Sequence, residues 1–122
     1  MSEKKRVLII EDDELLRTSL QFFLSSKSYE VLEAENGFQA IEILATNTVS
    51  AIVTDLNMPN MSGTAFIKHL RETMKLDVPI LVLTAMGNER SELESFHLGA
   101  NDFIAKPFSP SVLQLRLEKL LK

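Results

Sequence analysis

Apolar residues gather in five short runs along the chain, and the stretches between them repeat at a different period. Val7 to Ile10, Glu30 to Glu33, Ala51 to Thr54, Ile80 to Leu83 and Asp102 to Ala105 have the length and the aliphatic content of strands. Leu16, Leu20, Phe23 and Leu24 recur at helical spacing, as do Ile41 and Leu44, then Phe66, Ile67 and Leu70, and finally Leu113, Leu117, Leu120 and Leu121. Each series predicts a helix with one buried stripe. The punctuation agrees: Asn36-Gly37 breaks the chain before the second helix, Pro79 starts the fourth strand, Gly99 closes the fourth helix, and Ser109-Pro110 supplies an N-cap and a first-turn proline. Five strands alternating with five helices predict an α/β fold, a parallel sheet covered on both faces. No internal repeat, low-complexity tract or linker interrupts the pattern.

Composition narrows the classes. A chain of 122 residues is expected to form one domain, residues 1–122, with one proper core. It has no cysteine, so disulfides and thiolate metal sites are excluded, as suits a reducing cytoplasm. The longest apolar stretch, Pro79 to Met86, is too short to cross a bilayer, and Ser2-Glu3-Lys4-Lys5-Arg6 is not followed by a signal-peptide core. A soluble cytoplasmic protein without membrane contact is expected. Net charge is -4, and the thirteen basic residues are dispersed, which argues against direct binding of nucleic acid.

The distinctive feature is where the acids fall. Val7-Leu8-Ile9-Ile10 runs straight into Glu11-Asp12-Asp13-Glu14, and Ala51-Ile52-Val53-Thr54 ends in Asp55. Like charges massed at buried strand ends repel by several kcal/mol, so the cluster calls for a cation. Ligands of an open α/β sheet bind at the carboxyl ends of its strands, where strand order reverses. Glu11, Asp12 and Asp55 fall there, with Thr84 directly after the fourth strand and Lys106-Pro107 after the fifth. Oxygen ligands with open positions suit Mg²⁺. A metal beside a carboxylate suits phosphoryl transfer, with Asp55 as the nucleophile, Lys106 pairing with one phosphoryl oxygen and the Thr84 hydroxyl bonding another. The expected product is a phosphorylated aspartate.

Four segments carry a resemblance: Ile10-Glu11-Asp12-Asp13, Asp55-Leu56-Asn57-Met58-Pro59-Asn60-Met61-Ser62-Gly63, Leu83-Thr84-Ala85, and Gly99 through Lys106-Pro107-Phe108. In this order and spacing the chain resembles, over nearly its whole length, the receiver domains of two-component response regulators. The resemblance implies the flavodoxin-like, doubly wound five-stranded sheet of order 2-1-3-4-5. It makes Asp55 the phosphoacceptor, Asp12, Asp55 and the backbone carbonyl of Asn57 direct Mg²⁺ ligands, and Glu11 a ligand through a metal-bound water. Asp13 is then the first residue of the first helix, where its charge suits the helix dipole. In a competing alignment Asp12 and Asp13 form the acidic pair. Thr84 and Phe103 resemble the family's switch pair, although Phe103 lacks the hydroxyl of the commoner tyrosine. Lys106-Pro107 resembles the family's cis peptide.

The implied partners are a histidine kinase or histidine phosphotransfer protein upstream, and downstream an effector domain or protein, or a second copy of the chain. The output surface would comprise the fourth helix, fifth strand and fifth helix. There Leu115 projects about 180° from the buried stripe, among Gln114, Glu118 and Lys122. On the first helix Leu15 and Phe22 lie one heptad apart, off the core stripe. They are either a docking strip for the phosphohistidine helix or packed against the second helix. His69 and His97 have no ligand at metal spacing and read as surface or packing residues. Asn57 and Met86 occupy positions that tune phosphoryl lifetime in the family, and neither supplies a strong general base. Two rivals remain. A haloacid-dehalogenase-type phosphatase needs a second aspartate where Asn57 stands. A pseudo-receiver would serve only as an interaction module. The expectation is a receiver without enzymatic turnover.

Overall fold

A computed structural model describes residues 4–85 and 89–122. Its elements alternate as the patterning requires: β1 Arg6–Ile10, α1 Glu14–Ser26, β2 Glu30–Ala34, α2 Gly37–Thr46, β3 Ala51–Asp55, α3 Gly63–Lys68, β4 Ile80–Ala85, α4 Glu89–Leu98, β5 Asp102–Lys106 and α5 Pro110–Leu120. The strands form one parallel sheet of order β2-β1-β3-β4-β5, the order implied by the resemblance. Strand order therefore reverses between β1 and β3, and the acids lie at the ends of those two strands.

Period-two alternation divides the interior into two cores. Leu8, Ile10, Ile52, Ile80 and Val82 pack with Ala40, Leu44, Phe66, Ile67 and Leu70 of α2 and the α3 region. On the opposite face Val7, Ile9, Val53, Leu81, Leu83 and Ile104 pack with Leu20 and Leu24 of α1 and with Leu113 and Leu117 of α5. β3, at the centre, is buried along its whole length. Each of the sequence's apolar series thus finds a sheet face, as burial of amphipathic stripes demands.

Several boundaries differ from those read in the sequence. Thr84 and Lys106 lie inside β4 and β5, not beyond them, because the parallel ladder continues after the apolar run ends; Thr84 pairs with Ala105, and Ala85 with Lys106. Asp13 is the N-cap of α1, not its first residue: its backbone is extended, and its Oδ1 accepts the N–H groups of Leu15 and Leu16 at 3.0 and 3.2 Å. Asn36, Ser62 and Ser109 cap α2, α3 and α5 in the same manner. The helix carrying Phe66, Ile67 and Leu70 is α-helical only to Lys68 and widens into a π-helical turn over His69–Thr73, closed by the Met74 N–H on the His69 carbonyl. That turn keeps Leu70 buried while bringing Arg71 to the Gly99 carbonyl.

One glycine is fixed by close approach. A Cβ on Gly63 would lie 2.6 Å from both the Asp55 carbonyl oxygen and the Leu56 Cα. The Gly63 N–H donates to the Leu56 carbonyl at 2.8 Å. The start of α3 can therefore press directly onto the end of β3, which holds the loop after Asp55 tight.

Candidate functional site

The same alternation that builds the α1/α5 core carries on into the polar layer above it. Two residues beyond Ile9, Val53 and Ile104 come Glu11, Asp55 and Lys106, so all three side chains rise on one face at the top of the sheet. The Lys106 ammonium bridges the two acids, with Nζ 2.7 Å from Asp55 Oδ2 and 2.9 Å from Glu11 Oε1. The peptide bond Lys106-Pro107 is cis. Glu11 is 1% exposed and Asp55 6%, so the ion pairs sit in a poorly hydrated pocket. The remaining oxygens are engaged as well: the Asp13 N–H donates to Glu11 Oε2 and the Asn57 N–H to Asp55 Oδ1, both at 3.1 Å. Asp12 is exposed beside them.

Electrostatics follow from this burial. Desolvation pushes the Glu11 carboxyl above its ordinary value, with the Asp55 charge acting in the same sense; the hydrogen bonds from Lys106 and the Asp13 N–H only partly offset it. Burial alone would lower the Lys106 ammonium, but its hydrogen bonds to Asp55 and Glu11 and their charges outweigh that and raise it. The lysine is thus a fixed cation placed between two crowded carboxyl groups.

Oxygens of Glu11, Asp12 and Asp55 lie within 4.8 Å of one another. An all-oxygen donor set at that spacing fits a hard divalent cation. Glu11 and Asp55 each have Lys106 on one oxygen and a backbone N–H on the other, whereas Asp12 is exposed. Asp13 is committed to capping α1, so the alignment pairing Asp12 with Asp13 has no geometric support.

A family model described as "Response regulator receiver domain" matches residues 7–118. The chain belongs to that family. It is 40% identical over 116 residues to the transcriptional regulatory protein SrrA of Staphylococcus aureus, a match that covers 95% of this chain and 47% of the relative. The chain thus spans about half the length of the curated relatives it matches. Among solved structures it resembles the chemotaxis response regulator CheY4 of Vibrio cholerae, with a TM-score of 0.90, 30% identity and coverage of 97% of this chain and 99% of that one. The signal receiver domain of a signal transduction histidine kinase from Syntrophus aciditrophicus gives a TM-score of 0.88 at 30% identity, over 96% and 89% of the two chains.

In this receiver, Thr84 and Phe103 belong to the other face of the sheet. Thr84 is fully buried, and among the described residues its Oγ1 makes one long bond, donating to the Ala85 carbonyl at 3.4 Å. Phe103 pairs in register with Val82 and packs, half-buried, on the α2/α3 core. Leu15 and Phe22 are 78% and 75% exposed and Leu115 is 60% exposed, so none of the three is spent on packing. His69 is half-buried at the start of the π-helical turn, and His97 is exposed in the last turn of α4. Met86 lies outside the described residues. No helix among the described residues is long and apolar enough to cross a membrane.

Two features escaped the sequence reading. Arg17 is buried, and its Nη1 donates to the Glu11 carbonyl at 2.8 Å while Nε faces Glu33 at 3.4 Å. It ties the end of β1 to the end of β2. The available signal was its place three residues before Leu20 and seven before Leu24, on the core stripe of α1. The second is a groove of about 550 Å³ beside the acid pocket, between α1 and the loop after β5, where Leu16, Leu20, Pro107 and Phe108 meet Lys106 and Asp13. Its walls come from distant segments, so no local pattern announces it.

Proposed function

We propose that Asp55 accepts a phosphoryl group from a phosphohistidine of a histidine kinase or histidine phosphotransfer protein, with Mg²⁺ as cofactor, and that the face formed by α4, β5 and α5 changes in response. The supporting observation is the Lys106 ammonium held between Asp55 and Glu11, with Asp12 alongside. In this reading an Asp55 carboxylate oxygen attacks phosphorus in line. The O–P bond forms as the P–N bond to imidazole breaks, and the leaving imidazole nitrogen keeps the electron pair and takes a proton from water. Asp12, Asp55 and the Asn57 carbonyl would hold the cation, with Glu11 one shell further out. When bound, the cation supplies neutralisation of the phosphoryl oxygens.

The chain's own residues do the rest. Lys106 exchanges its carboxylate contacts for a phosphoryl oxygen. Thr84, whose hydroxyl is weakly engaged, turns to donate to another, and Phe103 fills the space it leaves. A charge of roughly -2 with three acceptor oxygens is enough to bias such a two-state element. The donor helix docks on the strip Leu15 and Phe22 beside the apolar groove. Leu115 belongs to the output face, toward an effector or a second copy. With Asn57 where a phosphatase of the haloacid dehalogenase type needs its acid, the reaction stops at the acyl phosphate. The setting is cytoplasmic.

Incubation with acetyl phosphate and Mg²⁺, followed by intact-mass measurement, tests the reading. The expected result is a gain of one phosphoryl group that Asp55→Asn abolishes. An unchanged wild-type mass, or the same gain in Asp55→Asn, overturns it, as does sustained turnover of a generic phosphate ester.

A further inference from the structure

α4 buries fewer of its residues than the other long helices. Only Ser95 of its ten residues is buried, whereas α1 and α2 each bury three and α5 two. Its C-terminal end is clamped instead by Arg71 from the π-helical turn. Arg71 Nε and Nη2 donate to the Gly99 carbonyl at 3.1 and 2.8 Å, and Nη2 also reaches Asn101 Oδ1 at 3.0 Å. The same Asn101 oxygen accepts the Ile80 N–H at 2.8 Å, which ties the clamp to the start of β4. Gly99 has φ +118°, and a Cβ there would meet Arg71 Cγ and Nε at 2.9 Å. This end of the helix is a fixed point.

One turn before it, Phe96 meets Phe103 edge to face, with ring centroids 5.4 Å apart and planes at 74°. Phe103 and Thr84 share one sheet face, one pleat apart, because Phe103 pairs with Val82 and Thr84 with Ala105. Ala105, which pairs with Thr84, carries only a methyl group on that face. In the receiver reading the Phe103 ring has two places: the one seen, against Phe96, and one over Ala105 once the threonine hydroxyl has turned away. Without a phenolic oxygen, nothing but aromatic contact and burial selects between them.

We propose that Phe96 is the positioning residue of this switch: it holds the Phe103 ring in the first of its two places, and its release when the ring moves to the second frees α4 to pivot about the Arg71–Gly99 clamp. The inference rests on the receiver reading, since it needs the ring and the Thr84 hydroxyl to exchange positions. It adds that this chain replaces a hydrogen-bonded ring with one gated by a second aromatic on α4. An edge-to-face pair biases an equilibrium about twofold to tenfold, so removing it should raise the activated fraction of the unphosphorylated protein by that factor.

The test is heteronuclear NMR on the full chain, free and saturated with fluoroberyllate and Mg²⁺ as a phosphoryl mimic, for wild type, Phe96→Ala and Phe96→Tyr. In free Phe96→Ala, the Thr84, Phe103 and Ala100 amide signals should lie displaced toward their mimic-saturated positions by that twofold to tenfold change in population. Phe96→Tyr, which restores the ring edge, should superpose on wild type. A merely structural loss would lower the melting temperature without moving Thr84 along that line. Phe96→Leu carries the same expectation if the alanine variant is too unstable to measure. Coincident free-state signals in Phe96→Ala and wild type, with wild type still responding to the mimic, overturn the latch alone. A wild type that neither responds to the mimic nor gains mass from acetyl phosphate overturns the receiver reading and the latch with it.

Discussion

Replacing Lys106 by methionine should convert the acid pocket from a stable arrangement into a strained one, with a size set by the two carboxylates left behind. Methionine keeps the aliphatic stem and deletes the ammonium. Glu11 and Asp55, with side chains 1% and 8% exposed, then face one another with oxygens within 4.8 Å. At an effective dielectric constant of about 20 that repulsion is about 3.5 kcal/mol. A ceiling of similar size comes from a second route, because one acid can escape by taking up a proton. From the ordinary glutamate value of 4.5 to neutral pH, at about 1.36 kcal/mol per unit, protonation costs about 3.4 kcal/mol. Lys106 is 29% exposed, so water screens part of the repulsion and the expected loss at pH 7 is about 2–3 kcal/mol.

The sign of the pH dependence separates this from lost packing. Removing the ammonium raises the folded-state value of Glu11 further above its unfolded value. A group shifted in that direction favours folding at low pH, and the contribution is lost as pH rises through the folded value. At pH 5 the proton escape costs only about 0.7 kcal/mol, so wild type and variant should nearly coincide there and diverge toward pH 8. In wild type the Lys106 ammonium stays protonated through this window, because its value lies above the ordinary 10.5. Urea unfolding followed by circular dichroism in EDTA, repeated from pH 5 to pH 8, measures the gap. Adding Mg²⁺ should stabilise the variant more than wild type, since it restores a cation that the variant alone lacks. A variant as stable as wild type at pH 7, or a gap that does not change with pH, would refute the account.

Gly63→Ala should cost about 1–3 kcal/mol in urea unfolding, because its Cβ would meet backbone atoms of Asp55 and Leu56 at 2.6 Å that cannot step aside; a loss below about 0.5 kcal/mol would mean that α3 shifts freely. Phe22→Ser should slow transfer from a cognate phosphohistidine donor about tenfold while leaving the acetyl phosphate rate untouched, and equal slowing of both would discard the docking role. Leu115→Asp should weaken partner binding or self-association of the phosphorylated protein without changing its melting temperature, as its 60% exposure implies; unaltered association removes Leu115 from the output face.

The legibility of the site in the sequence has a simple physical cause. A parallel strand buried on both faces must be apolar throughout, so the residue at which it turns polar marks the rim of the sheet, and Glu11 and Asp55 stand there without ambiguity. What the strand pattern could not give is how far the ladder runs past that point. Thr84 and Lys106 follow apolar runs too, yet both stay in register with a neighbouring strand. Their parity then decides their surroundings: Lys106 falls on the face of Ile104 and meets the acids, whereas Thr84 falls on the face of Val82, turned away from them. The cap and the two arginine braces were hidden for a different reason. Asp13 as a cap, Arg71 on Gly99 and Arg17 on the Glu11 carbonyl each use a side chain to satisfy backbone groups, which any polar residue can do; spacing marks Arg17 as a core-stripe position but not the group it meets. Asp13 and Arg17 hold the chain at the acid rim in place, while Arg71 braces the opposite end of the sheet at the start of β4, so the charged residues were readable from local sequence and the support around them was not. The Phe96–Phe103 pair combines both cases: Phe103 lies in a recognisable segment, but its counterpart sits on the least apolar of the long helices. With Ser95 alone fully buried along its length, α4 is the helix on which a single ring contact weighs most.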